Sequence, residues 1–353
     1  MKKVLLFIIL LCPLVVRASE LNVISHLIDS EIEIAGGLNV KELIIVEGDA
    51  DYLQRNINYY SFGNKAWDGE TINLNNGTIY NGQNISIVNV SAYEIDDKVE
   101  FGSFNKNVKE YFKPFDIKNP SDNTYTFEDN KNGQATLKIF YPTNNKRTAY
   151  YINYVVTNVV VKHNDIKEIN YTFKNLKYKA EETYLRVILP YPTNSDLYNV
   201  WVHGNKSGSV QELVDKNDKK LGIIAKFPTV KEEINFRITL EPEQVGVDMF
   251  INASNIDALD QVKKIEEEKL INTNKSKNII NVMKYVLTIL GIIYVIGSFI
   301  FIKFNNNIIY YIYIAFGLFI MLFNFLFRFN YWYLYLVLLF PLGIKIIKKY
   351  IVK

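Results

Sequence analysis

Two hydrophobic patterns divide the chain. Between residues 28 and 240, apolar and polar residues alternate in short runs, whereas residues 285–353 are nearly all apolar. Alternation with a period of two is typical of half-buried β-strands, and a long uncharged apolar run is typical of a membrane-spanning helix. The pattern therefore predicts a β-rich part followed by a membrane anchor.

The alternating runs are short and are separated by turn residues. Ile28 and Ile32 share one face of the first run, and Gly36-Gly37 supplies the turn before the run Leu38–Val46. Further strands are expected at Ile85–Tyr93, Ala135–Tyr141, Tyr150–Val161, Glu168–Phe173, Tyr184–Leu189, Asn199–Val202, Ile223–Phe227 and Ile234–Leu240. Because no amphipathic helices separate these strands, they favour a mainly β fold of the β-sandwich, immunoglobulin-like (Ig-like) kind. The length of the region favours two sandwich domains, residues 19–162 and residues 163–252.

One amphipathic helix is predicted after the strands, within the segment 253–277. Its apolar residues recur at helical spacing, and Ser254 is a suitable N-cap. The segment is expected to be a stalk that lies against the sandwich or leads into the membrane. A helix that binds a partner is the alternative.

The segment 278–353 is predicted to be a membrane anchor with three helices, at about 284–303, 308–328 and 331–347. Tyr285–Ile302 carries no charge and, at about 27 Å as a helix, is long enough to cross a bilayer core. The last span ends in Lys345, Lys348, Lys349 and Lys353. Such residues are enriched on cytoplasmic flanks. We therefore expect a multi-pass protein of the cell membrane with its N-terminal domain outside the cytoplasm and its C-terminus inside.

Residues 1–18 have the features of a secretory signal peptide. Lys2 and Lys3 precede the apolar run Val4–Leu11, and Ala18 is a small residue at the expected cleavage site. The single cysteine, Cys12, lies in this segment, so a processed chain would have no disulfide and no thiolate ligand or nucleophile. Lipoprotein processing at Cys12 is the alternative.

The net charge of +3 comes from the two hydrophobic ends, and the part between them is mildly acidic. Nucleic-acid binding needs clustered lysine and arginine side chains that neutralise phosphates. The sequence therefore gives no support to a nucleic-acid partner.

Residues along most of the chain resemble one family. The first group is Ile28-Asp29, Ile32, Gly37, Val40-Lys41-Glu42 and Arg55, and the second is Tyr154-Val155-Val156, Asp165, Glu168, Tyr171, Phe173, Leu189-Pro190, Trp201, His203, Gly204, Gly208 and Val210. Together with the acidic helix Ala258–Lys269, they resemble the bacterial predicted membrane protein family called domain of unknown function 2207. The resemblance implies a secreted β-rich domain followed by a few transmembrane helices, and it implies no established activity. The chain departs from the family pattern at Tyr171, where a tryptophan is expected, and it lacks a Gly/Ser-rich tail.

Two groups of residues have the composition of a metal site. His163, His203 and Asp165 supply imidazole and carboxylate ligands, but their spacing is not tight. Asp49 and Asp51 have the spacing of a calcium loop without its remaining oxygen ligands. The structural interpretation, in which these residues lie at strand ends, is favoured in both cases.

No catalytic motif accompanies these residues. Asp96-Asp97 and Glu181-Glu182 are adjacent pairs, whose side chains point to opposite sides of an extended chain and so form no acid/base pair. No phosphate loop, nucleophile elbow or HExxH motif occurs. We therefore assign no catalytic, cofactor-binding or metal-binding residue and expect no cofactor.

These observations favour a non-enzymatic envelope protein whose β-rich domain is a binding or assembly module. The expected partners are the lipid bilayer and another envelope or membrane protein. The alternative is a surface hydrolase that acts on envelope glycan or peptide. A cleft with two carboxylates about 5–10 Å apart would favour a glycosidase.

Overall fold

The computed structural model describes residues 21–59, 84–96, 99–115, 121–174, 176–204, 208–230, 233–245, 253 and 256–272. The predicted signal peptide and the three predicted membrane helices lie outside these residues. Within the described part of the chain, no helix has both the length and the apolar character needed to cross a membrane.

The described residues are mainly in β-strands, so the prediction of a mainly β fold is confirmed. The strands are β1 (Asn22–Ile32), β2 (Leu38–Glu47), β3 (Tyr52–Asn58), β4 (Asn84–Glu94), β5 (Lys113–Pro114), β6 (Thr124–Asp129), β7 (Gln134–Phe140), β8 (Thr148–Thr157), β9 (Val160–Lys162), β10 (Lys167–Phe173), β11 (Ala180–Thr193), β12 (Asn199–His203), β13 (Ser209–Val214), β14 (Lys220–Val230) and β15 (Ile234–Leu240). A 3-10 turn follows at Pro242–Gln244, and a helix, α1, spans residues 259–272.

These strands form three sheets. The large sheet has seven strands in the order β13-β14-β11-β1-β2-β8-β4, the β10 sheet has the order β12-β15-β10-β9, and the β3 sheet has the order β3-β7-β6-β5. The large sheet contains strands from both of the ranges that the sequence predicted as separate sandwich domains. Its β1 and β11 pair in parallel, with Val23 opposite Ala180 and Glu31 opposite Ile188. This pair departs from immunoglobulin-like sandwiches, whose sheets are antiparallel.

One face of the large sheet packs into the main core. Side chains two residues apart on a strand share a face, and paired residues on neighbouring strands project to the same side. Ile28 of β1, Ile44 of β2 and Tyr154 of β8 therefore all point to this side. They share one cluster of buried residues with Leu137 of the β3 sheet and Phe236 of the β10 sheet. Burying each such side chain contributes roughly 1.5–3 kcal/mol, so the three sheets are held by a common core.

The opposite face of the large sheet, called the outer face here, is apolar only in part. Leu27, Leu43 and Tyr151 are buried there against Phe104, and Phe101 packs against the same cluster. Both phenylalanines come from the segment between β4 and β5. Beyond this cover, the described part of the outer face carries polar residues such as Asp29 and Lys41 together with apolar ones such as Ile188.

Helix α1 begins against the β10 sheet. Ile256, Val262 and Ile265 are buried in a cluster with Ile166 and with the partly buried Trp201. A stripe at this spacing is the apolar face of an amphipathic helix. The β-rich unit therefore has apolar contacts on both faces of the β10 sheet.

The cap of α1 comes from a distant residue. The Asp165 carboxylate accepts hydrogen bonds from the backbone N–H of Ala258 at 2.8 Å and of Leu259 at 3.0 Å. These N–H groups have no partner within the helix, and a negative charge is favourable at that end. The prediction of Ser254 as the N-cap is replaced by this contact, and Ser254 itself lies outside the described residues.

Candidate functional site

Polar side chains cross the outer face of the large sheet in one row. The strand pairing places Asp29 of β1 opposite Lys41 of β2 and beside Arg186 of β11. Asn153 of β8 lies opposite Lys41. Four neighbouring strands therefore each contribute one polar side chain to the same part of the face, because paired residues in a sheet project to the same side.

Asp29 and Arg186 form a bidentate ion pair in this row. The Arg186 Nε donates to Asp29 Oδ1 at 2.7 Å, and Nη2 donates to Oδ2 at 2.6 Å. The guanidinium carbon lies 5.0 Å from the ring centroid of Phe101, a cation–π distance. Gly102 follows with φ of +84°, a left-handed conformation that glycine adopts most readily. This turn brings the segment between β4 and β5, which covers the apolar part of the outer face, against the edge of the polar row.

A cavity of about 230 Å³ opens beside this ion pair. We call it the outer-face pocket, and its lining includes Asp29, Glu31, Asn39, Lys41, Gly102 and Arg186. The Oδ1 atoms of Asn39 and of the neighbouring Asn153 are buried and accept no hydrogen bond from any described residue. A buried polar atom without a partner costs about 1–3 kcal/mol. These two oxygens are sealed from solvent, so the groups that the pocket offers to a bound molecule are those of Glu31 and Lys41.

A second cavity, of about 590 Å³, lies beside the edge strand β4. Its two carboxylates have partners. Glu94 pairs with Lys146 at 2.6 Å, and Glu110 accepts a hydrogen bond from Asn123 at 2.9 Å. Since both of its carboxylates are engaged in this way, this cavity is the weaker candidate site.

The most deeply buried ionisable groups lie on the opposite, core side of the large sheet. Glu42 Oε2 lies 2.7 Å from both His26 Nε2 and Arg55 Nε, and Tyr154 donates its hydroxyl to Glu42 Oε1 at 2.7 Å. Arg55 also donates to the carbonyl oxygens of Asn56 and Lys174. His26, Glu42 and Arg55 are all buried, so the group is closed to solvent and fits a structural role.

Burial and charge act in opposite directions on the pKa values of this cluster. Burial favours the neutral form of Glu42, but the Arg55 guanidinium and the His26 hydrogen bond outweigh it and hold the pKa of Glu42 far below its usual range. Burial lowers the pKa of His26, more than the Glu42 carboxylate raises it. Glu42 is thus ionised and His26 neutral at pH 7, and the neutral imidazole donates to the carboxylate.

This arrangement predicts that acid destabilises the fold through His26. The unfolded chain protonates this residue near pH 6.5, whereas the folded chain does so only at a lower pH, so stability falls as pH drops through that window. The limiting slope is about 1.4 kcal/mol per pH unit. Urea titrations at pH 7.5 and pH 5.5 should show a smaller loss in His26→Gln than in the wild type. Equal losses would contradict the assignment.

The structure gives separate partners to the residues of the first group that was considered as a metal site. His163 lies 3.1 Å from Glu168, which pairs with Arg237 at 2.9 Å. Asp165 caps α1, as described above, and His203 ends β12 opposite Asn235. Among the described residues, no group of three or more His, Cys, Asp or Glu could hold a metal ion.

The remaining candidates also lie apart. Asp49 and Asp51 are exposed around the turn between β2 and β3, and Asp96 is exposed after β4, while Asp97 lies outside the described residues. Glu181 accepts a hydrogen bond from Asn22, and its neighbour Glu182 pairs with Lys226 at 3.5 Å. Neither glutamate lines one of the two cavities described above.

Sequence reasoning missed the outer-face pocket as a site. Asp29 and Lys41 were noticed only as part of the family resemblance, and Arg186 was not noticed. A signal was present, because a charged residue at every second position of an otherwise apolar strand marks a polar face. The parallel pairing that brings Arg186 beside Asp29 has no local signal.

The fold and the pocket define a class of protein: a mainly β module with a polar, ligand-sized depression on one sheet face. The chain belongs to the family described as Predicted membrane protein (DUF2207) N-terminal domain, which matches residues 54–258. It has no significant match among curated proteins.

Two solved structures give weak matches. One is a protein from Parabacteroides distasonis ATCC 8503 described as a candidate protease, with 9% identity and a TM-score of 0.35, covering 63% of this chain and 41% of that chain. The other is baculovirus P35, with 8% identity and a TM-score of 0.17, covering 63% of this chain and 97% of that one. At these scores neither likeness bears on fold or function.

Proposed function

We propose that this chain is a membrane-anchored envelope protein whose β-rich part lies outside the cytoplasm and binds another envelope component. The family is described as a predicted membrane protein, which supports the anchor. The sequence supports its position, because residues 285–353 are apolar, contain no Asp, Glu or His and end in a lysine-rich tail.

We also propose a finer architecture for the β-rich part. The large sheet shares one core with both four-stranded sheets. This supports two sandwich layers that have the large sheet in common, one with the β3 sheet and one with the β10 sheet. The outer face of the large sheet is then free for binding along its polar part.

The outer-face pocket is the observation that carries the binding function. Its polar groups converge from β1, β2 and β11, so a rigid sheet holds them in place. A small number of convergent polar groups in a concave site is typical of ligand-binding surfaces. By contrast, the His26, Glu42 and Arg55 group is sealed in the core, where a substrate has no access.

A hydrolase remains the second candidate because Asp29 and Glu31 both line the pocket. They are two residues apart on β1, so their side chains share a face at roughly 6–7 Å. However, Arg186 engages both oxygens of Asp29. Neither oxygen of Asp29 is therefore free to engage a substrate, so binding is favoured.

Photo-crosslinking in the native membrane tests the proposal. p-Benzoylphenylalanine in place of Ile188, which lines the pocket, should give a discrete adduct with an envelope component. The same group at Lys162, exposed on β9, is the matched control position. The Ile188 adduct should fall severalfold when Lys41→Met is added. The proposal would be overturned if the yield of the Ile188 adduct were unchanged by Lys41→Met, or if both positions gave identical adducts.

A further inference from the structure

We infer that the ligand of the outer-face pocket is a neutral, hydroxyl-rich molecule, such as one sugar unit of an envelope glycan. The inference rests on the proposed binding function and identifies the class of ligand. It follows from three properties of the pocket: its charge balance, its hydrogen-bonding groups and its size.

The charges in the pocket cancel one another. Asp29 neutralises Arg186 through two hydrogen bonds. Lys41 and Glu31 remain, one positive and one negative, and neither has a hydrogen bond or ion pair within the described part of the chain. A pocket with no net charge does not attract an ion more strongly than a neutral molecule. A neutral ligand is therefore at no electrostatic disadvantage there.

The hydrogen-bonding groups are of both kinds. The Lys41 ammonium can only donate, whereas the Glu31 carboxylate can only accept. A hydroxyl group donates and accepts at once, so a ligand with several hydroxyls satisfies Lys41 and Glu31 together.

Charged ligands fit this set less well. A phosphate or carboxylate could accept from Lys41, but its negative charge would lie against the carboxylates of Glu31 and Asp29. A metal cation would find oxygen ligands, but Arg186 already occupies both oxygens of Asp29, and Lys41 would repel the ion. Each charged class therefore makes a like-charge contact.

The volume is suited to one small unit. At about 230 Å³, the pocket is smaller than the roughly 300 Å³ at which sites for drug-sized molecules begin. A single ring with a few hydroxyl groups is within this limit, and the rest of a glycan chain would continue along the open sheet face. With so few contacts, a dissociation constant on the order of 1 mM is expected for one unit.

The test uses the full chain in lipid nanodiscs and saturation-transfer NMR. The neutral probes are chitotriose and maltotriose, and the charged probes are inorganic phosphate and Ca²⁺, the latter followed through its effect on the melting temperature. At least one saccharide should bind with a dissociation constant near 1 mM. Lys41→Met and Glu31→Met should weaken this binding about tenfold or more, whereas Lys162→Met on β9 should not change it. Melting temperatures of all variants establish that each one is folded.

The possible results distinguish an error in the ligand class from an error in the binding function. If phosphate or Ca²⁺ acts in a manner that depends on Lys41 and the saccharides do not bind, the ligand class is wrong and the binding function stands. If the Ile188 crosslink yields a protein and no saccharide competes with it, the ligand is a protein surface and the sugar inference is again wrong. If no probe binds and no Lys41-dependent crosslink forms, both proposals fail.

Discussion

Replacing Arg55 with methionine is expected to lower the free energy of unfolding by about 3–5 kcal/mol. Arg55 is 1% exposed and contacts both oxygens of the fully buried Glu42, at 2.7 Å and 3.1 Å. Methionine keeps much of the apolar stem but leaves the carboxylate without its cation in the core. Urea denaturation followed by tryptophan fluorescence measures the loss.

Two controls distinguish this effect from ordinary loss of packing. The double variant Glu42→Met/Arg55→Met removes both charges, so it should be more stable than Arg55→Met alone. Arg147→Met breaks a partly exposed pair with Glu47 at 3.9 Å and should cost less than about 1 kcal/mol. If the double variant is the less stable one, Glu42 is not the charge that Arg55 compensates.

The same arginine explains why one strand was not predicted. β3 has the sequence YLQRNIN, in which Leu53 and Ile57 point into the core and Arg55 lies between them on the same face. A charged residue at an inward position breaks the alternation that sequence reasoning relies on. Only the partner Glu42, from another sheet, makes this position tolerable. β10 and β15, whose alternation places uninterrupted apolar residues on the core face, were predicted within one residue at each end.

Long-range pairing limited the rest of the prediction. The turn at Gly36-Gly37 joins neighbouring strands and is visible locally, whereas the β1–β11 pair joins residues more than 150 positions apart. That pair makes one sheet from two predicted domains and brings Arg186 beside Asp29. Strand β13 was missed for a different reason: it is an edge strand with exposed residues on both faces, so burial imposes no pattern on it.

The N-cap of α1 was also missed because the residue that forms it is distant in sequence. Local sequence offers Ser254 and an acidic first turn, and both are reasonable signals. The contact that forms instead uses Asp165, which a loop of the β10 sheet presents to Ala258 and Leu259. The carboxylate considered as a metal ligand is therefore a structural group that ties the helix to the sheet.

Because α1 is bound to the β10 sheet in this way, we expect the β-rich part to lose stability when α1 is removed. A chain of residues 21–245 should melt about 6–12 °C below a chain of residues 21–272. The longer chain buries Ile256, Val262 and Ile265 against Ile166 and Trp201. Each of these three side chains contributes roughly 1.5–3 kcal/mol of burial, and ordering the helix offsets part of the sum, so a net loss of about 3 kcal/mol is expected.

The Asp165→Ala substitution is the control, because its effect depends on the helix being present. In the chain of residues 21–272 it should cost about 1 kcal/mol, the usual cost of losing a helix cap. In the chain of residues 21–245 it should cost close to nothing, since the N–H groups of Ala258 and Leu259 are gone. Thermal unfolding followed by circular dichroism at 218 nm, in the β-sheet range, compares all four proteins. Equal melting temperatures for the two chain lengths would show that α1 does not stabilise the β10 sheet.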